Sequence, residues 1–362
     1  MQGLNLWALC LLTAVAAGLL SCTGGDAESV SDKSAPVALE QINRWSIEAP
    51  DLIPNPSVAG VLLDGSLVIL DRSLNTINHF DSEGNHLETR GGRGRGPGEY
   101  QNMIAIDIHP DGRVAVADLN SARVSISSLF SEEETTFPYE TGWNPQVHLT
   151  GSGLVILNHP FSMMTTDPGD ILMRIYDSET RETEEFYQME LEMENPPFEQ
   201  ISCTFCDFQF TDELAFYTAP RDTSYRVFRV DPDTGEELLF TRRGLPPVPY
   251  SQEEKEQLRE GRERAMQVTG MEPGEYEPPE FKRRFFDFFP DGEGRLWVVR
   301  HTEAGEALKI DLFSPEAEYL GSLDAPENMR SIRYAGNGRL FVQFNNDNPD
   351  RWEGGVYRVV KL

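Results

Sequence analysis

Nine polar side chains directly follow short apolar runs: Asp71, Arg72, Asp118, His159, Arg221, Arg300, His301, Asn345 and Asn346. If those runs are strands of one closed architecture, the nine gather at one end of it. Arg72, His159, Arg221, Arg300, His301 and Asn345 would then offer convergent donors and acceptors to a ligand. Asp71 and Asp118 are the carboxylates a calcium ion would draw on, with Asn158 and Asn345 beside them, because calcium takes several oxygen ligands. The competing reading gives both aspartates to turn N–H groups. No such local duty claims His159, Arg300 or His301.

Two further motifs carry chemistry. Residues 91–100, GGRGRGPGEY, combine five glycines with Arg93 and Arg95. Their backbone N–H groups and guanidiniums could cradle an anion. The Gly-Lys-Ser/Thr ending of a P-loop is missing. A tight glycine-rich join with Glu99 pairing an arginine is the alternative. Cys203 and Cys206 form a C-x-x-C. Outside the cytoplasm they read as a disulfide, with two free thiols as the alternative. Zinc would need two more ligands, which no second C-x-x-C or H-x-x-x-H supplies. No G-x-S-x-G elbow is present, so a Ser-His-Asp order has no anchor. No catalytic constellation is complete, and the chain leans towards binding rather than catalysis. No cofactor is expected, with calcium at Asp71 and Asp118 as the one candidate.

The elements that must position these residues repeat one phrase. Asp64-Gly65, Asp111-Gly112, Gly151-Ser152-Gly153, Asp212-Glu213, Gly292-Glu293-Gly294 and Gly336-Asn337-Gly338 each precede an apolar run: SLVIL, RVAVA, LVIL, LAFY, RLWVV and RLFVQF. Such turns between apolar runs mark hairpins. A strand precedes each turn, a third follows, and a more polar fourth closes five of the six copies. Radial four-stranded meanders are the blades of a β-propeller. The sixth copy ends at Leu362 without its fourth strand, while RWSIEAP at 44–50 is a surplus strand at the start. The expected fold is therefore all-β, a six-bladed propeller whose last blade is closed by the N-terminal strand. One short helical insert, 245–281, separates blades four and five. Ser251 and Glu254 open its helix as a capping box. Loops between second and third strands and joins between blades fall on one face, which carries the long connections.

The first 21 residues read as an export signal: an apolar run from Leu4 to Leu20 ends in small residues. Leu19-Leu20-Ser21-Cys22 resembles a bacterial lipobox, which implies cleavage before Cys22 and acylation of that cysteine. A cleaved secretory protein and a retained anchor helix stay open. Residues 22–40 are small, polar and acidic, the composition of a flexible tether, and the propeller would occupy 41–362.

HPDGRVAVAD at 109–118 and Gly94-Arg95-Gly96-Pro97-Gly98-Glu99-Tyr100 resemble phrases of bacterial six-bladed propellers of the NHL-repeat-like and TolB-like kind. Many of these are lipoproteins of unknown function. The resemblance implies fold far more than activity. With 60 acidic against 31 basic residues and a net charge of −29, the surface repels nucleic acid. The expected partners are a protein, peptide or glycan on the loop-rich face and a membrane through the N-terminal lipid, at the bacterial cell envelope. The rival expectation is a calcium-dependent hydrolase or lyase at the channel mouth.

Overall fold

Three hairpin turns close on their own aspartates. Asp64 accepts the N–H and hydroxyl of Ser66, and Asp111 accepts the N–H of Arg113 at 3.0 Å. Asp291 does the same for Glu293 and Arg295. These turns fix the strand registers in a computed structural model that describes residues 32–138, 146–151, 154–158, 171–177, 182–189, 208–211, 215–218, 223–269, 276–348 and 350–362. Cys22, His159, Arg221, Cys203 and Cys206 lie outside the described residues.

The protein is mostly β, with four-stranded antiparallel sheets in a propeller arrangement and one helix. Strands β2 (Pro56–Val61), β3 (Leu67–Asp71), β4 (Thr76–Phe80) and β5 (His86–Gly91) pair in that order. So do β6 (Met103–Ile108), β7 (Arg113–Asp118), β8 (Arg123–Ser128) and β9 (Glu134–Pro138). The third sheet is β10 (Gln146–Leu149), β11 (Leu154–Asn158), β12 (Ile171–Tyr176) and β13 (Thr183–Met189). The fourth is β14 (Phe208–Phe210), β15 (Phe216–Thr218), β16 (Arg226–Val230) and β17 (Glu237–Thr241). After the helix α1 (Gln252–Thr269) come β18 (Phe285–Pro290), β19 (Leu296–Arg300), β20 (Lys309–Phe313) and β21 (Tyr319–Asp324). The last sheet holds β22 (Met329–Tyr334), β23 (Arg339–Phe344), β24 (Arg351–Lys361) and, outermost, β1 (Val37–Glu48) from the other end of the chain. The described strands thus pair into six sheets. The first strands neighbour one another: β2 touches β6, β6 touches β10, β14 touches β18, and β18 touches β22. β2 also meets β23 of the last sheet.

β1 starts earlier than the 44–50 expected, pairing with β24 from Val37↔Lys361 to Glu48↔Arg351. Val37, Trp45 and Ile47 are buried while Glu40 and Glu48 are exposed, so the strand has a core face that its polar neighbours hide in the sequence. The stretch 32–40 is accordingly part of the fold, not the end of a tether. Ala35 N–H donates to the Ser322 carbonyl at 3.0 Å, and Ser322 N–H to Lys33 at 2.7 Å. This places the chain start against β21. The approach needs a glycine: a Cβ on Gly321 would sit 2.5 Å from Ala35 N and Ser34 O. Further along, Trp45 Nε1 and Asn43 Nδ2 both donate to the Ser82 carbonyl at 2.9 Å, tacking β1 to the first sheet.

Arginines staple adjoining sheets. Arg90 donates to the carbonyls of Ser128, Leu129 and Ser131. Arg113 of the Asp-Gly-Arg phrase reaches Thr150 at 3.0 Å. Arg339, in the equivalent place of the last sheet, reaches Leu62 and Leu63 of the first, both at 3.3 Å. Arg339→Met is expected to lower stability by about 1–3 kcal/mol, the range for an unmade buried hydrogen bond. Urea unfolding followed by tryptophan fluorescence reads it as a lower midpoint at an unchanged slope.

Candidate functional site

The seven of the nine polar strand-end residues that lie among the described residues do not gather into one cluster. Asp71 is fully buried and serves its own turn, accepting the Asn55 N–H, the Ser73 hydroxyl at 2.6 Å and the Leu74 N–H at 2.9 Å. Asp118 accepts the N–H groups of Gln101 at 2.8 Å and Asn102 at 3.0 Å and the Ser121 hydroxyl at 2.6 Å. Burial works to raise its pKa, but these donors outweigh it and hold the carboxyl below its usual value. Both carboxylates are thus engaged by neutral donors of their own loops and of the segments that lead into β2 and β6. Among the described residues no group of three or more His, Cys, Asp or Glu side chains is placed to hold a metal.

Arg72 donates to the Ile104 carbonyl at 3.2 Å, and burial depresses its pKa. In the glycine-rich loop, Gly96 N–H is taken by the Glu99 carboxylate and Gly98 N–H by Glu134, both at 2.8 Å. The nest an external anion would use is thus filled by the chain's own carboxylates. Glu99 spends its side chain on Gly96 rather than on an arginine, while Arg123 binds the Gly96 carbonyl at 3.1 Å. Arg93 and Arg95 remain exposed.

Arg300 belongs to a buried charge cluster instead of a channel mouth. Asp311, in the middle of β20 with no exposed surface, accepts Arg242 Nη1 at 2.8 Å, Arg300 Nε at 3.2 Å, the Tyr225 hydroxyl at 2.8 Å and the Ser322 hydroxyl. Asp32, at the start of the described chain, bridges the outer N–H groups of Arg242 and Arg300. Burial would raise its pKa, yet the two guanidiniums hold it down. Burial and the Asp311 charge push the Tyr225 hydroxyl well up. Two carboxylates and two guanidiniums therefore neutralise one another, the condition for burying charge at all.

His301 lies under the insert. The capping box is made: Ser251 N–H donates to Glu254 Oε2 at 2.8 Å, and Glu254 N–H to Ser251 Oγ at 3.1 Å. The other Glu254 oxygen takes the buried Lys282 ammonium. Tyr250 N–H bonds the Glu280 carbonyl at 3.0 Å and Lys282 N–H the Val248 carbonyl at 2.8 Å, which clamps the two ends of the insert together. His301 packs against Phe286, with centroids 5.2 Å apart. Burial first, then the Lys282 charge, depress its pKa to about 4, with Glu254 opposing and Arg283 assisting. Beside it, the loop after β19 and the join after β21 flank a cleft of about 420 Å³ lined by Leu308, Ala325, Pro326 and Met329, with Glu306 and Glu327 among its polar residues. Asn345 enters this end through its backbone, donating to the Asn328 carbonyl at 2.8 Å. The joins and the second-to-third-strand loops thus do share one end.

The side chains that face the centre come from the first strands, where the nine did not look. Asp107 on β6 is 3.3 Å from His148 Nδ1 on β10 and accepts the Leu149 N–H at 2.8 Å. His148 stacks on Phe210 of β14 at 5.5 Å. Arg333 on β22 feels the charges of Asp107 and of Asp287 on β18. Burial would raise the Asp107 pKa, but His148, the Leu149 N–H and Arg333 lower it. A readable signal existed: IDI, VHL, FQF and IRY each set one polar residue in an apolar strand shortly before the turn.

No protein-family model matches the chain, and no curated protein sequence matches it. It is similar in structure to a member of the DUF4221 family from Bacteroides vulgatus, at 12% identity over 91% of this chain and 100% of that one, with a TM-score of 0.57. It is similar also to a candidate exported protein from Bacteroides fragilis, at 12% identity over 92% and 97% of the two chains, with a TM-score of 0.50. At such identities the likeness is one of fold.

The buried imidazole sets a pH dependence. Unfolded, it titrates near 6.5, and folded near 4. Between these values the unfolded chain binds more protons, so the His301 contribution is complete above 6.5 and declines as pH falls towards 4. Urea unfolding at pH 7 and pH 5 is expected to show a smaller stability loss in His301→Gln than in the unchanged protein.

Proposed function

We propose that the chain is an exported, lipid-tethered six-bladed propeller that captures a protein, peptide or glycan on its loop-bearing end. The carrying observation is the insert. Its foot is fixed by the Lys282–Glu254 pair and the backbone clamp at 248–250 and 280–282. α1 then has Glu254, Lys255, Leu258, Arg259, Arg262 and Met266 half-buried, while its other described side chains are exposed. A helix fixed at its base with most of its surface free is a preorganised contact platform, which reduces the entropy lost on binding. Six sheets with neighbouring first strands support the ring reading. The lipobox-like Leu19-Leu20-Ser21-Cys22 supports the tether, and the name of the Bacteroides fragilis neighbour accords with export. Among the described residues no helix is long and apolar enough to cross a membrane. A calcium-dependent hydrolase would draw on Asp71 and Asp118, whose oxygens the turns already engage.

Two measurements test this reading. Labelled palmitate is expected to enter the intact chain and to be absent from Cys22→Ala, with the variant leaving the membrane fraction. A photo-crosslinking residue at Gln257 on α1 is expected to give a discrete adduct in intact cells, while one at exposed Leu87 on β5 gives none. Equal adducts at both sites, or none at Gln257, would contradict capture at this end.

A further inference from the structure

The geometry points to a second site, at the centre of the propeller, that binds a small zwitterion of the α-amino-acid class through Arg333. It does not depend on what the loop-bearing end captures. A guanidinium carries five N–H donors and no accessible neutral form. Elsewhere in this protein buried arginines spend those donors: Arg90 and Arg339 on carbonyls, Arg113 on a carbonyl and Asp111, Arg242 and Arg295 on carboxylates. Arg333 makes no hydrogen bond and no ion pair with any described residue, and its guanidinium lies over the face of Phe341 at 6.0 Å. Burial lowers its pKa against the pull of Asp107 and Asp287. A half-buried cation whose N–H donors no described residue takes leaves those donors to solvent or to a ligand.

The surroundings select what that is. The site is open: 21% of the Asp107 side chain and 31% of the His148 side chain remain accessible, and Arg333 is half-buried. Asp107 holds His148 by Nδ1, which leaves Nε2, without a partner among the described residues, as a further polar contact. A carboxylate can accept two parallel N–H bonds from Arg333. The two flanking aspartates disfavour a dianion such as phosphate and attract a cationic group. A ligand with a carboxylate for Arg333 and an ammonium for the aspartate side satisfies both. Position 60, in the register of Arg333 and Asp107 on the intervening first strand, is a glycine, so that strand contributes no side chain at this level.

Calorimetry on the full chain in detergent micelles, with L-alanine, L-alanine methyl ester and acetate as probes, decides the matter. L-Alanine is expected to bind saturably at millimolar concentration or below, the methyl ester not at all, and acetate more weakly. Arg333→Gln is expected to weaken L-alanine about ten- to a hundredfold, and Arg333→Lys less. Arg333→Lys, which keeps a cation beside Asp107 and Asp287, should melt no lower than the unchanged protein. Absence of L-alanine binding, equal binding in Arg333→Gln, acetate binding as tight as L-alanine, or a marked fall in melting temperature in both variants would overturn the inference.

Discussion

The strand that completes the last sheet comes from the beginning of the chain, and the rest of the structure depends on that pairing. A sheet edge left open exposes a row of unpaired N–H and C=O groups. Here β24 would have such an edge, and β1 covers it over its length. The same segment touches the fifth sheet through Ser322 and the first through Ser82. One stretch of chain therefore ties three consecutive sheets, and the Arg339 staple closes the same seam from inside. Only with that seam shut are the first strands held side by side, with Asp107, His148, Asp287 and Arg333 turned towards one centre.

Charge is buried where the seam begins. Asp311 has no exposed surface, yet four donors reach it, and Asp32 supplies the second carboxylate that two guanidiniums require. Removing either carboxylate would leave a buried cation under-paired, which is far costlier than losing a surface pair. Gly321 serves the same end by letting backbone approach backbone. The start of the fold is thus specified by complementary charge and close contact rather than by apolar area, which is scarce in residues 32–36. It also fixes where any tether leaves the body: beside β21, near the insert.

The propeller was legible because its turns are chemically explicit. Asp-Gly and Gly-x-Gly before Val- and Leu-rich runs can hardly be read otherwise, and the unfinished sixth repeat pointed to an N-terminal closing strand. The true start of β1 was hidden because Val37, Ala38 and Leu39 sit among polar residues and a bulge between Gln41 and Asn43 breaks the alternation. The site was less legible. Residues just after second strands were expected to converge, but a second strand is one removed from the centre, so Arg300 and His301 meet their neighbours within and between sheets. The central residues were missed because a polar residue in an apolar strand resembles ordinary outward alternation. Only closure, which joins positions 107, 148 and 333, turns it inward.

Hydrogen–deuterium exchange of the intact chain, resolved by peptide, tests the closure directly. If β1 is the outer strand on which the ring depends, amides of 37–48 and 351–361 exchange together and only at the rate of global unfolding. Exchange of 37–48 within seconds while 351–361 stays protected would show a strand that merely rests on a fold complete without it.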